Sequence, residues 1–283
     1  MQQPTSETHL MNIDKDAFNK DGFVLLPSLF SRHEVEQVRQ DAKDVFIRQL
    51  MSHGTLAVST PTEAEFESAL YRFFTEDQAA FINCGKHIQH LVSLHRLGID
   101  ERVVELMRAY GMEVPCISTR PVLFFNSRQL ATKEAYWKTP PHQDWRSIQG
   151  SLNSLVLWMP LVDIDKPLGA LEIVPGSHLR GLLSTRLDES FGVVDDIAEE
   201  EFVPVPVSAG DGLLFSTFLI HRSGNNTTPS IRWSCHFRYN DLAEESFIKR
   251  RYPHTYLYKP KDDIITPGFP QVSDLERTFA FKS

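Results

Sequence analysis

From Pro115 onward, six short apolar runs follow one another with Pro, Gly, Asn and Asp between them, over 116–125, 154–161, 170–174, 202–207, 213–219 and 231–239. Runs of this length bounded by turn residues are strands, and six at this spacing predict an antiparallel sandwich or a jelly-roll barrel. The first third reads differently. Ser31 with Glu34 three residues on predicts a capping box, behind which Val35, Val38, Ala42, Val45, Phe46 and Leu50 recur at helical spacing. Helices are also expected over 63–74, 77–97 and 102–109, and a short strand over 22–26. The expected fold is α+β with a mainly β core and the N-terminal helices packed on one outer face. No repeat or linker divides the chain. Residues 1–283 read as one domain, with 1–114 as helical support, 115–240 as the β core, 241–283 as a C-terminal extension and the acidic stretch 195–201 in an exposed connection.

Composition removes several functions. The net charge is −8 and the basic residues are scattered, Lys249-Arg250-Arg251 being a rare cluster, so a nucleic acid finds no track and is excluded as a partner. No apolar run approaches the roughly 20 residues that cross a bilayer, so no membrane is expected. Cys84, Cys116 and Cys235 are too few and too distant for a disulfide framework, and the polar start lacks the pattern of a signal peptide. The expectation is a cytoplasmic protein with free thiols, a monomer or homodimer whose partner is a small molecule.

The chemistry starts at Pro141-His142-Gln143-Asp144-Trp145. On an extended strand residues i and i+2 share a face, so His142 and Asp144 can reach one metal ion, although taken alone the pair reads equally well as a surface His and acid. Ala209-Gly-Asp-Gly212 then turns into the apolar run 213–220, which delivers His221 to a fixed point. A third ligand there completes a two-histidine, one-carboxylate face with open positions, the arrangement that non-haem Fe(II) oxygenases require. Eleven residues on, Arg232 shares a strand face with Ser234, His236 and Arg238, while Ile231, Trp233, Cys235 and Phe237 take the other. A buried guanidinium needs an anion, which is either a bound carboxylate or one of the chain's own acids.

His142-x-Asp144, His221, Ser223 and Arg232, with Gly169-Ala-Leu-Glu-Ile-Val-Pro-Gly-Ser-His178 and Ala209-Gly-Asp-Gly212, resemble the phytanoyl-CoA dioxygenase (PhyH) family of Fe(II)/2-oxoglutarate oxygenases, which includes ectoine hydroxylase. The resemblance runs over about 124–239, and more loosely over 22–46. It implies a double-stranded β-helix, the cupin-like jelly roll, with the metal inside one mouth. It also implies that His142, Asp144 and His221 are catalytic residues binding Fe(II), that Arg232 and Ser223 hold the distal carboxylate of 2-oxoglutarate, and that Asn126 and Trp158 touch this cosubstrate. The reaction so implied consumes O₂ and 2-oxoglutarate, releases succinate and CO₂, and hydroxylates a small metabolite. Halogenases of the broader class carry a small residue where Asp144 stands, so chlorination is not expected.

Substrate contacts are expected from the loops 127–141 and 145–153 and from the polar face of the last strand, with Arg128, Trp145, His236 and Arg238 as candidates. The spacing of Cys84, His87 and His90 could hold zinc but lacks a fourth ligand, and His178 reads as a loop residue. Two competing readings are a zinc hydrolase on the same triad and a catalytically silent jelly-roll binding protein. Arg232 separates the first, because hydrolysis has no use for a cationic anchor there. Retention of all five residues argues against the second.

Overall fold

The computed structural model describes residues 14–130, 139–184 and 197–253, with 271 and 273. Part of the expected binding loop (131–138), the start of the acidic stretch and most of the C-terminal extension lie outside the described residues.

Helix α1 (Lys15–Asp21) ends on Gly22 at φ 82°, and the chain enters β1 (Phe23–Leu26). Helix α2 (Arg32–His53) opens on the expected capping box, with Ser31 N donating to Glu34 Oε2 at 2.7 Å. Helix α3 (Glu63–Glu76) opens on a second box, Thr62 with Glu65, which the sequence reading did not single out. The helix expected over 77–97 is interrupted. It divides into α4 (Gln78–His87) and α5 (Val92–Gly98), joined by a 3₁₀ turn over Ile88–His90 and an extended Leu91. The reason is phase. The stripe Phe81, Cys84, Ile88 would continue to Leu91 and His95, whereas the break rotates Leu94 and Leu97 into the core instead. Helix α6 (Glu101–Ala109) completes the helical layer.

Two antiparallel sheets follow. The larger is ordered β1, β7 (Gly212–Ser216), β4 (Leu155–Pro160) and β9 (Arg232–Asp241), with β2 (Pro115–Ile117) and β3 (Val122–Asn126) end to end along the far edge of β9. The run expected as one strand over 116–125 is thus two, separated at 118–121, where Pro121 cannot donate to a ladder. The smaller sheet is ordered β6 (Val203–Val205), β5 (Leu171–Ile173) and β8 (His221–Arg222). The run expected over 213–219 stops at Ser216, and the chain crosses to the smaller sheet before His221.

Strands β4 and β7 are buried at every residue because both faces are covered. Leu155, Leu157, Met159 and Leu214 join the core beneath the helices, whereas Val156, Trp158, Leu213 and Phe215 form a second core between the sheets. Strand β9 divides as its alternation predicts, with Trp233, Cys235, Phe237 and Tyr239 toward the helices and Arg232, Ser234, His236 and Arg238 lining the space between the sheets. Phe125 stacks on Trp233 at 5.0 Å and Phe46 of α2 meets Phe125 edge-on at 5.2 Å, contacts worth about 0.5–1.5 kcal/mol each beyond burial. The helices therefore brace the back of the sheet whose front carries the polar residues. All three cysteines are free thiols, and no helix among the described residues is long and apolar enough to cross a membrane.

Candidate metal centre

His142 lies beside β8 and exchanges backbone hydrogen bonds with His221, at 3.0 and 3.1 Å. That pairing brings two imidazoles from distant segments to ring centroids 4.2 Å apart. Asp144 follows at the entrance to the short helix α7 (Trp145–Ile148), with Trp145 N donating to Thr217 O at 2.9 Å and Ser147 Oγ to Asp144 O at 2.8 Å. The ligand atoms of His142, Asp144 and His221 lie within 4.8 Å of one another, and all three residues are buried. The sequence reading put His142 and Asp144 on one extended strand; Asp144 is instead helical, at φ −65° and ψ −29°. Its carboxylate converges because the chain turns after His142, not because of period-two alternation.

The donor set suits a divalent ion. Nδ1 of His142 lies 2.8 Å from Pro140 O, and Nδ1 of His221 lies 3.0 Å from Leu219 O. Each Nδ1 therefore carries the proton and each Nε2 keeps its lone pair for a metal. Burial, then the neighbouring His142, pushes the His221 imidazole down to about 3, so it is neutral. Burial alone would raise the carboxyl of Asp144, but the Arg238 guanidinium at 2.8 Å and the two imidazoles outweigh it and hold it well below the usual carboxylate range. Two imidazoles and one carboxylate fit Fe(II) and leave coordination positions open.

The triad faces a cavity of about 490 Å³, within the range of about 300–1,000 Å³ typical of small-molecule sites. Arg232 lines it, is 2% exposed and has no acidic partner among the described residues; Nη1 donates to Gly169 O and Nε has no hydrogen-bond partner. Burial pushes its guanidinium down to about 10, so it stays charged at neutral pH. Ser223 shares the cavity, its Oγ 2.7 Å from Thr139 Oγ1, and Trp158 lines it from β4. Asn126 stands opposite Arg232 in the β3–β9 register and is buried, but is not among the residues lining the cavity.

The expected substrate contacts divide. His236 and Arg238 line the cavity, and burial followed by the nearby Arg238 pushes the His236 imidazole well below its ordinary value. Trp145 does not line it. Its indole stacks on Phe218 at 5.2 Å, donates to Ser151 O at 3.2 Å and carries Arg250 over the ring at 5.4 Å, because the turn at Asp144 aims the next side chain away from the metal. Arg128 is likewise outside, on a 3₁₀ turn over Arg128–Leu130 beside Thr227 and Pro229, where the chain has already left β3. His178 packs against α1, with Nε2 3.2 Å from Asn19 O. Cys84, His87 and His90 do not converge as the triad does.

Several site residues escaped the sequence reading. Gln143, between two ligands, donates to Gly181 O at 2.8 Å and Phe218 O at 2.7 Å and accepts from Leu183 N at 2.8 Å, clamping the segment beside the mouth. Its place inside His-x-Asp was the available signal. Thr139, Arg146 and Ser147 also line the cavity; they fall within the expected loops 127–141 and 145–153, where none of the three was singled out.

The model of the family described as phytanoyl-CoA dioxygenase (PhyH) matches residues 18–234. Phytanoyl-CoA dioxygenase 1 of Oryza sativa subsp. japonica is 30% identical over 130 residues, covering 42% of this chain and 46% of the rice protein, so the match spans about half of that relative's length. The methylphosphonate hydroxylase of Gimesia maris is 22% identical over 249 residues, 87% of this chain and 86% of its own. Among solved structures, the epimerase SnoN in complex with Fe3+, alpha ketoglutarate and nogalamycin RO superposes with a TM-score of 0.54 at 21% identity, over 80% of this chain and 82% of that one. That likeness establishes a shared jelly-roll fold. With the family match extending from α1 into β9 and the triad set between the two sheets, the chain belongs to the phytanoyl-CoA dioxygenase (PhyH) family of non-haem iron, 2-oxoglutarate-dependent dioxygenases.

Proposed function

We propose that the protein hydroxylates an unactivated C–H bond of a small molecule, with Fe(II) held by His142, Asp144 and His221, and with O₂ and 2-oxoglutarate consumed as succinate and CO₂ are released. The observation that carries this reading is Arg232, a buried guanidinium without an acidic partner among the described residues, lining the same cavity as the triad. Its planar fork matches the distal carboxylate of a dicarboxylate cosubstrate.

Bound iron supplies the redox chemistry that couples oxidative decarboxylation of the 2-oxo acid to oxidation of a C–H bond. The chain does the rest. The Nδ1–carbonyl contacts of both histidines hold their rings in the ligating tautomer, and Arg238 fixes one carboxylate oxygen of Asp144. Arg232 and the Ser223 hydroxyl bind the far end of 2-oxoglutarate, with Thr139 orienting Ser223. Trp158, Phe215, Val156 and Leu171 keep water from the cavity floor. Asp144 fills the position that a halogenase leaves for chloride, which favours hydroxylation.

Succinate formation from 2-oxoglutarate in air with Fe(II) tests the reading. Arg232→Ala should raise the half-saturating 2-oxoglutarate concentration on the order of 100-fold, the size expected for a lost buried charge pair. Undiminished 2-oxoglutarate affinity in that variant, or zinc-dependent hydrolysis without succinate, would favour the hydrolase reading.

A further inference from the structure

We infer that the substrate is a small oxyanion, bearing a carboxylate or a phosphonate group, and that Arg146 on α7 receives it. This deepens the proposed function and rests on it.

Among the described residues the cavity is lined by three arginines, Arg146, Arg232 and Arg238, and by one acid, Asp144. The lining thus has an excess of two positive charges. Fe(II) and dianionic 2-oxoglutarate cancel each other, so loading the cofactors leaves the excess in place. Two of the arginines have work already. Arg238 pairs with Asp144, and Arg232 is answered by the distal carboxylate of 2-oxoglutarate.

Arg146 is different. It makes no ion pair among the described residues, its Nη2 donates only to the neutral carbonyl of Leu183 at 3.0 Å, and its Nε is buried with no hydrogen-bond partner. A buried donor left unpaired is costly, and a guanidinium cannot shed its charge to relieve it. Two more polar atoms in the same lining, Nε2 of His236 and Oγ of Ser234, are also buried and unpaired. The cavity is therefore built to be filled by a polar guest, and the cation without a counter-ion among the described residues sets that guest's sign.

Position sets its size. Arg146 stands two residues past Asp144, on the one-turn helix that the metal-ligating carboxylate begins, whereas Arg232 stands at the start of β9. An anion paired with Arg146 places its neighbouring carbons beside the metal rather than at the cosubstrate's end. The C–H bond to be oxidised then lies within a few bonds of the charged group.

The test is an anaerobic titration of the protein loaded with Fe(II) and 2-oxoglutarate, followed by the visible charge-transfer absorption of the iron–2-oxo acid chelate. Three matched sets are used: short alkyl carboxylates, alkylphosphonates including methylphosphonate, and the neutral esters of both. At least one anion should shift the band saturably, while its neutral ester binds at least tenfold more weakly. The carboxylate and phosphonate sets tell which oxyanion is preferred. Arg146→Ala should weaken that anion at least tenfold relative to 2-oxoglutarate, and Arg146→Lys should recover most of the loss; the ratio of the two Kd values separates lost recognition from a damaged fold. Neutral esters binding as well as the anions, no response from any anion, or an Arg146→Ala ratio within twofold of wild type overturns the inference. Failure of the band to form in the wild-type protein instead overturns the reading on which the inference rests.

Discussion

The Arg238 guanidinium donates to Oδ1 of Asp144 at 2.8 Å, with 13% of one side chain and 4% of the other exposed. A residue read from the sequence as a substrate contact thus has a metal-ligating carboxylate as its partner. The contact joins positions 94 residues apart, on the last core strand and at the mouth of α7.

Removing the guanidinium strands a buried carboxylate, a loss of about 3–5 kcal/mol. Arg238→Met should therefore lower the unfolding free energy of the metal-free protein by roughly that amount in urea denaturation. A divalent ion then becomes the carboxylate's counter-charge, so the deficit should shrink in saturating Fe(II). An equal deficit with and without metal would show that Arg238 does not act through Asp144.

Ser223 presents its hydroxyl to the cavity beside Thr139. A hydrogen bond from a neutral hydroxyl to a carboxylate is worth about 1.5 kcal/mol, so Ser223→Ala should raise the KM for 2-oxoglutarate roughly tenfold, far less than Arg232→Ala. Initial rates of succinate release give both values.

Gly98 ends α5 against β9. A Cβ there would meet the Phe237 ring at 2.4 Å, and Tyr239 Oη donates to Gly98 O at 2.6 Å. Gly98→Ala forces apart a helix and the strand that carries the polar lining, so thermal denaturation should show a loss of about 1–3 kcal/mol. Wild-type stability would mean that the Phe237 ring can move aside.

Glu34 closes the α2 capping box and pairs with Arg102 at 2.6 Å. Arg102, against partial desolvation and with help from Ser31, lowers its carboxyl from 4.5 to about 2. The folded value lies below the unfolded one, so this contribution is fully present above 4.5 and disappears as pH falls toward 2. Glu34→Gln should flatten the pH dependence of stability in that window and leave it unaltered at higher pH. Chemical denaturation at a series of pH values would show this.

How far the site was legible follows from the range of each interaction. The capping box at Ser31, the two faces of β9 and the candidate positions 142, 144, 221 and 232 could be read because each rests on local spacing or a local motif. The break at Leu91 could not, since a stripe of apolar residues does not say where the surface beneath it changes phase. Trp145 and Arg128 were misplaced for a related reason. Their neighbours, Phe218 and Arg250 for one and Thr227 and Pro229 for the other, are far along the chain.

By itself, then, the sequence determined the alternation that makes β9 polar on one side and apolar on the other, the helical layer that covers the apolar side, and the residue types able to hold a ferrous ion. Side-chain direction along a strand or helix is set by backbone geometry within a few residues, and this much needs no knowledge of the rest of the chain. Only the tertiary structure decided which polar groups share one cavity. The pairing of His142 with His221 and the contact of Arg238 with Asp144 are long-range, and with the crossing from β7 to β8 and the helical turn at Asp144 they bring Arg146 into the lining and turn Trp145 out of it.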